Sequence, residues 1–131
     1  AVWMLDGAGY EHGGCCISMT LRDYARFGLF FMHGGVANGE QVLPKDWVKE
    51  ASTSHTLVDP KHPEEGYGYF WWIHPHGTYS AEGIFGQQVF LDPKDDLVIV
   101  FNSAWEKADE DKNWIAQWTY ADAVMKALHK D

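Results

Sequence analysis

Covalent hydrolysis or group transfer needs a nucleophile beside a group able to take its proton, so the serines and cysteines come first. None of Ser18, Ser52, Ser54, Ser80 and Ser103 lies in a Gly-x-Ser-x-Gly elbow or has a lysine three residues on, and no tyrosine is followed two residues later by asparagine. Cys15 and Cys16 are adjacent. Neighbouring cysteines close a disulfide only through a strained ring, so they are expected to be two buried, reduced thiols, which leaves the compartment open. Pairing of either with a distant histidine is conceivable, with structural thiols the preferred reading. Among the seven histidines the nearest pairs, His74 with His76 and His55 with His62, lack metal-ligand spacing, so no metal site is expected. Gly7-Ala8-Gly9 and Gly13-Gly14 precede no Lys-Ser/Thr and make no phosphate cradle. Asp95-Asp96 and Asp109 to Asp111 sit in polar turns and read as solvated charge rather than acid/base machinery. No cofactor is implied.

The stretch that remains is Tyr79 to Pro93. It reads as one strand that begins small and glycine-spaced and turns apolar at Val89, Phe90 and Leu91. Gly83 and Gly86 either open a backbone edge to close approach by a ligand or another chain, or mark a bulge or a tight packing contact.

The surrounding elements follow from periodicity and punctuation. Thr20 as N-cap, Asp23 three residues on, an apolar face through Leu21, Tyr24, Ala25, Gly28, Phe31 and Met32, and a Gly34-Gly35 stop predict a helix over 20–33. Asn38-Gly39 predicts a turn, Glu40 to Leu43 a short extended piece, and Pro44 the first position of a second helix with Trp47, Val48 and Ala51 on its apolar face. Ser52 to Gly66 is polar and reads as a surface loop, a rim or lid by its length. Tyr67 to Ile73 reads as an aromatic strand on which Trp71 and Trp72 face opposite sides, one toward the core and the other toward a pocket wall. Leu97 to Phe101 is apolar on both faces, as a central strand covered on both sides would be. Trp114, Trp118, Ala121, Met125 and Leu128 mark the buried face of a C-terminal helix. The fold class is α+β, a three-stranded antiparallel meander with flanking helices, in a single domain or domain fragment over 1–131.

The balance of 19 acidic against 10 basic residues, net charge −9, opposes nucleic acid and anionic membrane as partners. The longest apolar runs are too short for a membrane helix. Aromatics reach 15% with seven tryptophans, ring surface that must be buried or line a cleft. A chain beginning at Ala1 with neither an initiator Met nor a leader reads as part of something longer or as a processed product.

Taken in order, Gly13 to Gly28 with its Thr-x-Arg-Asp-x-Ala-Arg-Phe-Gly helix, Gly34-Gly35, Leu43-Pro44, Tyr67-Gly68-Tyr69 with Trp71-Trp72, and Gly83 through Asp92-Pro93 resemble serine β-lactamase-like hydrolases over nearly the whole chain. The resemblance is to the branch of 6-aminohexanoate-dimer hydrolases and related esterases, and to its C-terminal third. It implies part of a larger β-lactamase/transpeptidase-like fold, an acyl-enzyme mechanism, and a Ser-x-x-Lys and Tyr-x-Asn-type tyrosine lying upstream. The family's Lys-Thr-Gly strand falls at Ala81-Glu82-Gly83, where only the glycine is kept. The resemblance assigns the Ile84 N–H to one half of an oxyanion hole. Ala81 in place of a cation implies linear amides or esters rather than β-lactams, and Glu82 is expected to meet a substrate amine or to point to solvent. The expected partners are a small amide or ester substrate and the upstream part of the same hydrolase. A homo-oligomer through an exposed sheet edge and a non-catalytic, aromatic-rich binding module are the alternatives.

Overall fold

The computed structural model describes residues 1–129. Its strands are β1 (Val2–Trp3), β2 (Ile17–Ser18), β3 (Val36–Ala37), β4 (Glu40–Gln41), β5 (Thr56–Leu57), β6 (Gly66–Tyr67), β7 (Trp72–Ile73), β8 (Tyr79–Gly83), β9 (Gln87–Asp92) and β10 (Leu97–Asn102). Helix α1 (Leu21–Met32) follows β2, α2 (Trp47–Ala51) follows β4, and α3 (Asp111–Leu128) ends the chain. Strands β5 to β10 form one antiparallel meander in the order β10-β9-β8-β7-β6-β5, and β1 with β2 and β3 with β4 form two small hairpin sheets.

The α+β class and the meander stand, but the sheet has six strands where three are predicted. Two stretches that read as single strands are hairpins. Tyr67 to Ile73 reverses between β6 and β7, with Tyr67 opposite Trp72 and Phe70 at φ 66°. Tyr79 to Pro93 reverses between β8 and β9, with Gly83 opposite Gln87. The third addition, β5, lies in the segment read as loop and pairs with β6.

Helix α1 forms as its caps dictate. The Thr20 hydroxyl accepts from the Asp23 N–H and donates to the Asp23 carboxylate at 2.8 Å, and at the other end Gly34 and Gly35 donate to the Phe31 and Phe30 carbonyls. Asn38 (φ 52°) and Gly39 (φ 82°) turn the β3–β4 hairpin. Helix α2 begins at Trp47, not Pro44, whose carbonyl instead accepts from the Trp47 N–H.

The alternation of β9 builds two cores. Val89 and Leu91 face α1 with Phe31, Trp71 and Tyr79, whereas Phe90 packs with Ile99 and Ala121 of α3. Leu91 and Phe90 are fully buried, each worth about 1.5–3 kcal/mol relative to exposure. Among the described strands β10 lies at the edge of the sheet rather than the centre; helices on both faces, α1 against Val98 and Val100 and α3 against Leu97 and Ile99, account for its continuous apolar run. On α3, Leu128 of the predicted stripe is exposed, and Gln117, which is not in that stripe, is buried. Cys15 and Cys16 are also a correction: they are exposed and joined to each other by a disulfide, with Cys16 at φ 77° turning the chain between them. No helix among the described residues is long and apolar enough to cross a membrane.

Candidate active site

The β8–β9 turn is the feature around which the candidate site is built. Gly86 donates to the Gly83 carbonyl at 2.9 Å, and Gly86 sits at φ 83° while Ile84 and Phe85 keep negative φ. This is a type I turn followed by a left-handed residue, a three-residue hairpin loop that favours glycine at its last position. A Cβ on Gly86 would also collide with the Trp105 indole. Gly86 is thus both a bulge and a close packing contact.

All three loop carbonyls are taken by the segment leading into and along α3. Asp109 N–H donates to Ile84 at 2.8 Å, Trp105 N–H to Phe85 at 3.2 Å, and Gln117 Nε2 to Gly86 at 2.9 Å. The Ile84 N–H has no acceptor among the described residues, and Ile84 itself is exposed. A free backbone donor on a pinned turn is what stabilising a developing negative charge requires.

Beside Gly83 lies a cavity of about 420 Å³ lined by Trp3, Tyr24, Phe27, Phe70 and Trp72, with Ala81, Glu82 and Gly83 of β8 also bordering it. Trp72, half-exposed, contributes to this wall. Trp71 does not border this cavity; it is 4% exposed and packs against Phe31 at a ring separation of 4.5 Å. Ala81 packs at the margin of the α1-side core. The β1–β2 hairpin is held beside the cavity by the Trp3 indole, which donates to the His12 and Cys15 carbonyls at 3.0 Å.

Glu82 does not point to solvent. It shares the α3 face of β8 with Ser80 and stands opposite Gln88, and all three are wholly or mostly buried. Ser80 donates to the Glu82 carboxylate at 2.6 Å, Gln88 Nε2 donates to the same oxygen at 3.3 Å, and His74 Nε2 lies 2.7 Å from the Ser80 hydroxyl. With Ser80's only hydrogen given to the carboxylate, its oxygen accepts from His74, which places the imidazole hydrogen on Nε2. Burial lowers His74 to about 4. Glu82 is raised, chiefly by desolvation against the bonds from Ser80 and Gln88, with the Asp109 charge adding to the rise. Neither His74 nor Ser80 was a candidate from spacing; the signal was the i, i+2 placement of Ser80 and Glu82 on one strand face. Ser80 is completely buried, which removes it as a nucleophile in this fold.

This cluster gives a pH prediction. His74 is held neutral in the native state and takes a proton on unfolding, so its stabilising contribution is complete above its ordinary value of 6.5 and is lost as pH falls toward about 4. The loss amounts to about 2 kcal/mol by pH ~5. Glu82 acts with the opposite sign, its raised carboxyl relieving a native-state cost on acidification. In denaturant unfolding, the wild type should therefore lose about 2 kcal/mol more than His74→Gln between pH ~7 and ~5. Equal losses would show that His74 is not buried neutral.

A larger cavity, about 550 Å³, lies on the α3 side and is lined by His74, Asp92, Trp118 and His129 among others, with no contribution from Gly83 or Ile84. His62, Glu64 and Glu65 bring three possible ligand atoms within 4.8 Å of one another on a largely exposed loop, an arrangement common in acidic surface segments without an ion.

The family model described as Beta-lactamase matches residues 2–122. The chain belongs to the beta-lactamase family. Within it, the chain is 37% identical over 118 residues to the 6-aminohexanoate-dimer hydrolase of Paenarthrobacter ureafaciens, a match covering 82% of this chain and 29% of that protein. It is 25% identical over 128 residues to an uncharacterized protein of Alkalihalophilus pseudofirmus, covering 84% of this chain and 37% of the relative. Among solved structures it superposes with a TM-score of 0.79 and 25% identity on a Bacillus anthracis protein provisionally named a 6-aminohexanoate-dimer hydrolase, across 98% of this chain and 34% of that one. As a beta-lactamase-family member, the chain therefore spans about a third of the length of the relatives it matches.

Proposed function

We propose that this chain is the C-terminal segment of a serine hydrolase that cleaves linear amides or esters through an acyl-enzyme, and that it supplies half of the oxyanion hole and a wall of the substrate pocket. The observation that carries the reading is the Ile84 N–H, unpaired among the described residues, on a turn whose three carbonyls all accept hydrogen bonds. In the proposed reaction a serine from the upstream part attacks the substrate carbonyl, and negative charge collects on its oxygen. Ile84 N–H donates to that oxygen together with the nucleophile's own N–H. Collapse expels the amine or alcohol, and water attacking the acyl-enzyme passes through the same oxyanion. The aromatic cavity beside Gly83 suits an apolar portion of the substrate, and its described lining includes no lysine, arginine or histidine to hold a carboxylate. Glu82 is engaged by Ser80 and Gln88, so in this reading it shapes β8 rather than meeting a substrate amine.

The upstream part also has a place to join. Strand β10 has a neighbour on one side only among the described strands, and its six residues leave an unpaired backbone edge. We read that edge as the seam with the rest of the polypeptide, in preference to a contact between copies of this chain.

The 131-residue chain alone is expected to be inert toward p-nitrophenyl esters, and addition of the separately expressed upstream fragment is expected to produce phosphonate-sensitive turnover. Turnover by the isolated chain, abolished by a serine-directed phosphonate, would overturn the claim that the nucleophile lies outside it.

A further inference from the structure

Gln117 stands in the buried face of α3, where an apolar side chain is the ordinary occupant, and only 6% of it is exposed. Its Nε2 donates to the Gly86 carbonyl at 2.9 Å and to the Ser103 hydroxyl at 3.1 Å, while its Oε1 is buried with no partner among the described residues. A carbonyl only accepts, so the amide must turn its NH2 to Gly86. Leaving the other end unpaired carries a cost that leucine or methionine at the same position would avoid. The bond to Gly86, not packing, accounts for a glutamine here.

That bond is linked to the Ile84 N–H through Gly86 and the peptide that precedes Ile84. In a trans peptide the C=O and the following N–H point in opposite directions. The Ile84 N–H is therefore aimed by the Gly83 carbonyl, which is held by the Gly86 N–H at 2.9 Å. Gly86 in turn is fixed by Gln117 at its carbonyl and by the Trp105 indole, which occupies the place of a Cβ. Gln87 Nε2 ties the same region to the Ser103 carbonyl at 2.9 Å. Helix α3 thus grips the turn through Gln117 at the Gly86 carbonyl.

We infer that Gln117 is a positioning residue that aims the Ile84 N–H at the oxyanion by holding the Gly86 carbonyl, an inference that rests on the hydrolase reading above. Without it the turn keeps its fold but loses the restraint that sets the donor's direction, so the effect falls on the transition state and not on substrate binding.

The test uses the full-length polypeptide and a p-nitrophenyl ester. Gln117→Met, which keeps the volume and removes the donor, is expected to lower kcat roughly 10-fold with KM within about twofold. Affinity for an arylboronic acid, a mimic of the tetrahedral adduct, should fall in step with kcat. Gln117→Glu keeps the shape and has an O–H donor only while protonated, so its kcat relative to wild type should rise as the pH is lowered from about 8 to about 5. Should Gln117→Met fail to fold, the glutamate variant decides, and a pH-independent ratio overturns the inference. Wild-type kcat in Gln117→Met beside an inactive Ile84→Pro overturns the inference and leaves the hydrolase reading standing. Full activity in Ile84→Pro removes the hydrolase reading's oxyanion donor and the inference with it.

Discussion

On the hydrolase reading proposed above, replacing Ile84 by proline in the full-length polypeptide is expected to lower kcat by roughly 10²–10³-fold, the loss typical of removing one oxyanion-hole donor, with the fold intact. The geometry makes this substitution unusually clean. Ile84 is the second residue of a type I turn, the position where proline's fixed φ fits best. Gly83 before it lies in extended β8, the conformation that a residue preceding proline prefers. No hydrogen bond within the described residues is lost, because the Ile84 N–H makes none, and the Ile84 carbonyl remains available to the Asp109 N–H. The side chain is exposed, so little packing is forfeited. Ile84→Ala keeps the N–H and separates loss of the donor from loss of the side chain; only the proline variant should show that loss. The measurement is steady-state hydrolysis of a p-nitrophenyl ester beside a thermal unfolding curve. A proline variant that unfolds like wild type and retains kcat within about threefold would show that this N–H takes no part in the transition state.

What was legible in the sequence was local. Thr20, Asp23 and Gly34-Gly35 mark the limits of α1 because caps act over a few residues, and the structure uses them so. Chain reversals inside aromatic and β-branched stretches were not legible. Tyr67 to Ile73 is aromatic or β-branched at every position but Gly68, and the apolar run Val89 to Leu91 makes the end of Tyr79 to Pro93 strand-like, but composition does not report direction. The glycines within them, Gly68 and Gly86, were the available signals; each is set at a turn where another part of the chain fills the space of a side chain. Strand β10 read as central because its apolar run demands cover on both faces, and helices α1 and α3 meet that demand at an edge. The Ser80, Glu82, Gln88 and His74 cluster depends on cross-strand register, which no spacing rule supplies. Gln117 was closer to hand. A stripe through Trp114, Trp118 and Ala121 also covers position 117 at helical spacing, so a polar residue there was a mark of a specific partner.

Gly68→Ala is expected to be among the most damaging single substitutions for stability, on the order of 3 kcal/mol or more, although it adds one methyl group. The added Cβ would collide with the Ala51 carbonyl oxygen and stand 2.9 Å from the Thr53 carbonyl oxygen, both backbone atoms and neither able to swing aside. The Ala51 carbonyl is further fixed by accepting from the Tyr69 N–H at 2.9 Å, and Ala51 is 1% exposed at the end of α2. Relief therefore requires moving the β6–β7 hairpin away from α2 and breaking that bond, with the Gly68 N–H to Trp71 carbonyl bond at 2.8 Å strained alongside. The same hairpin carries Phe70 and Trp72 to the aromatic cavity, so on the hydrolase reading proposed above a displaced turn should also raise KM for bulky esters. Gly7→Ala is the matched control, since nothing lies within 4 Å of its Cβ position and its φ is ordinary; it should stay within about 0.5 kcal/mol of wild type. Denaturant unfolding of the two variants decides the matter. Equal midpoints would mean that the hairpin yields at no cost, and that its packing on α2 does not hold the cavity wall in place.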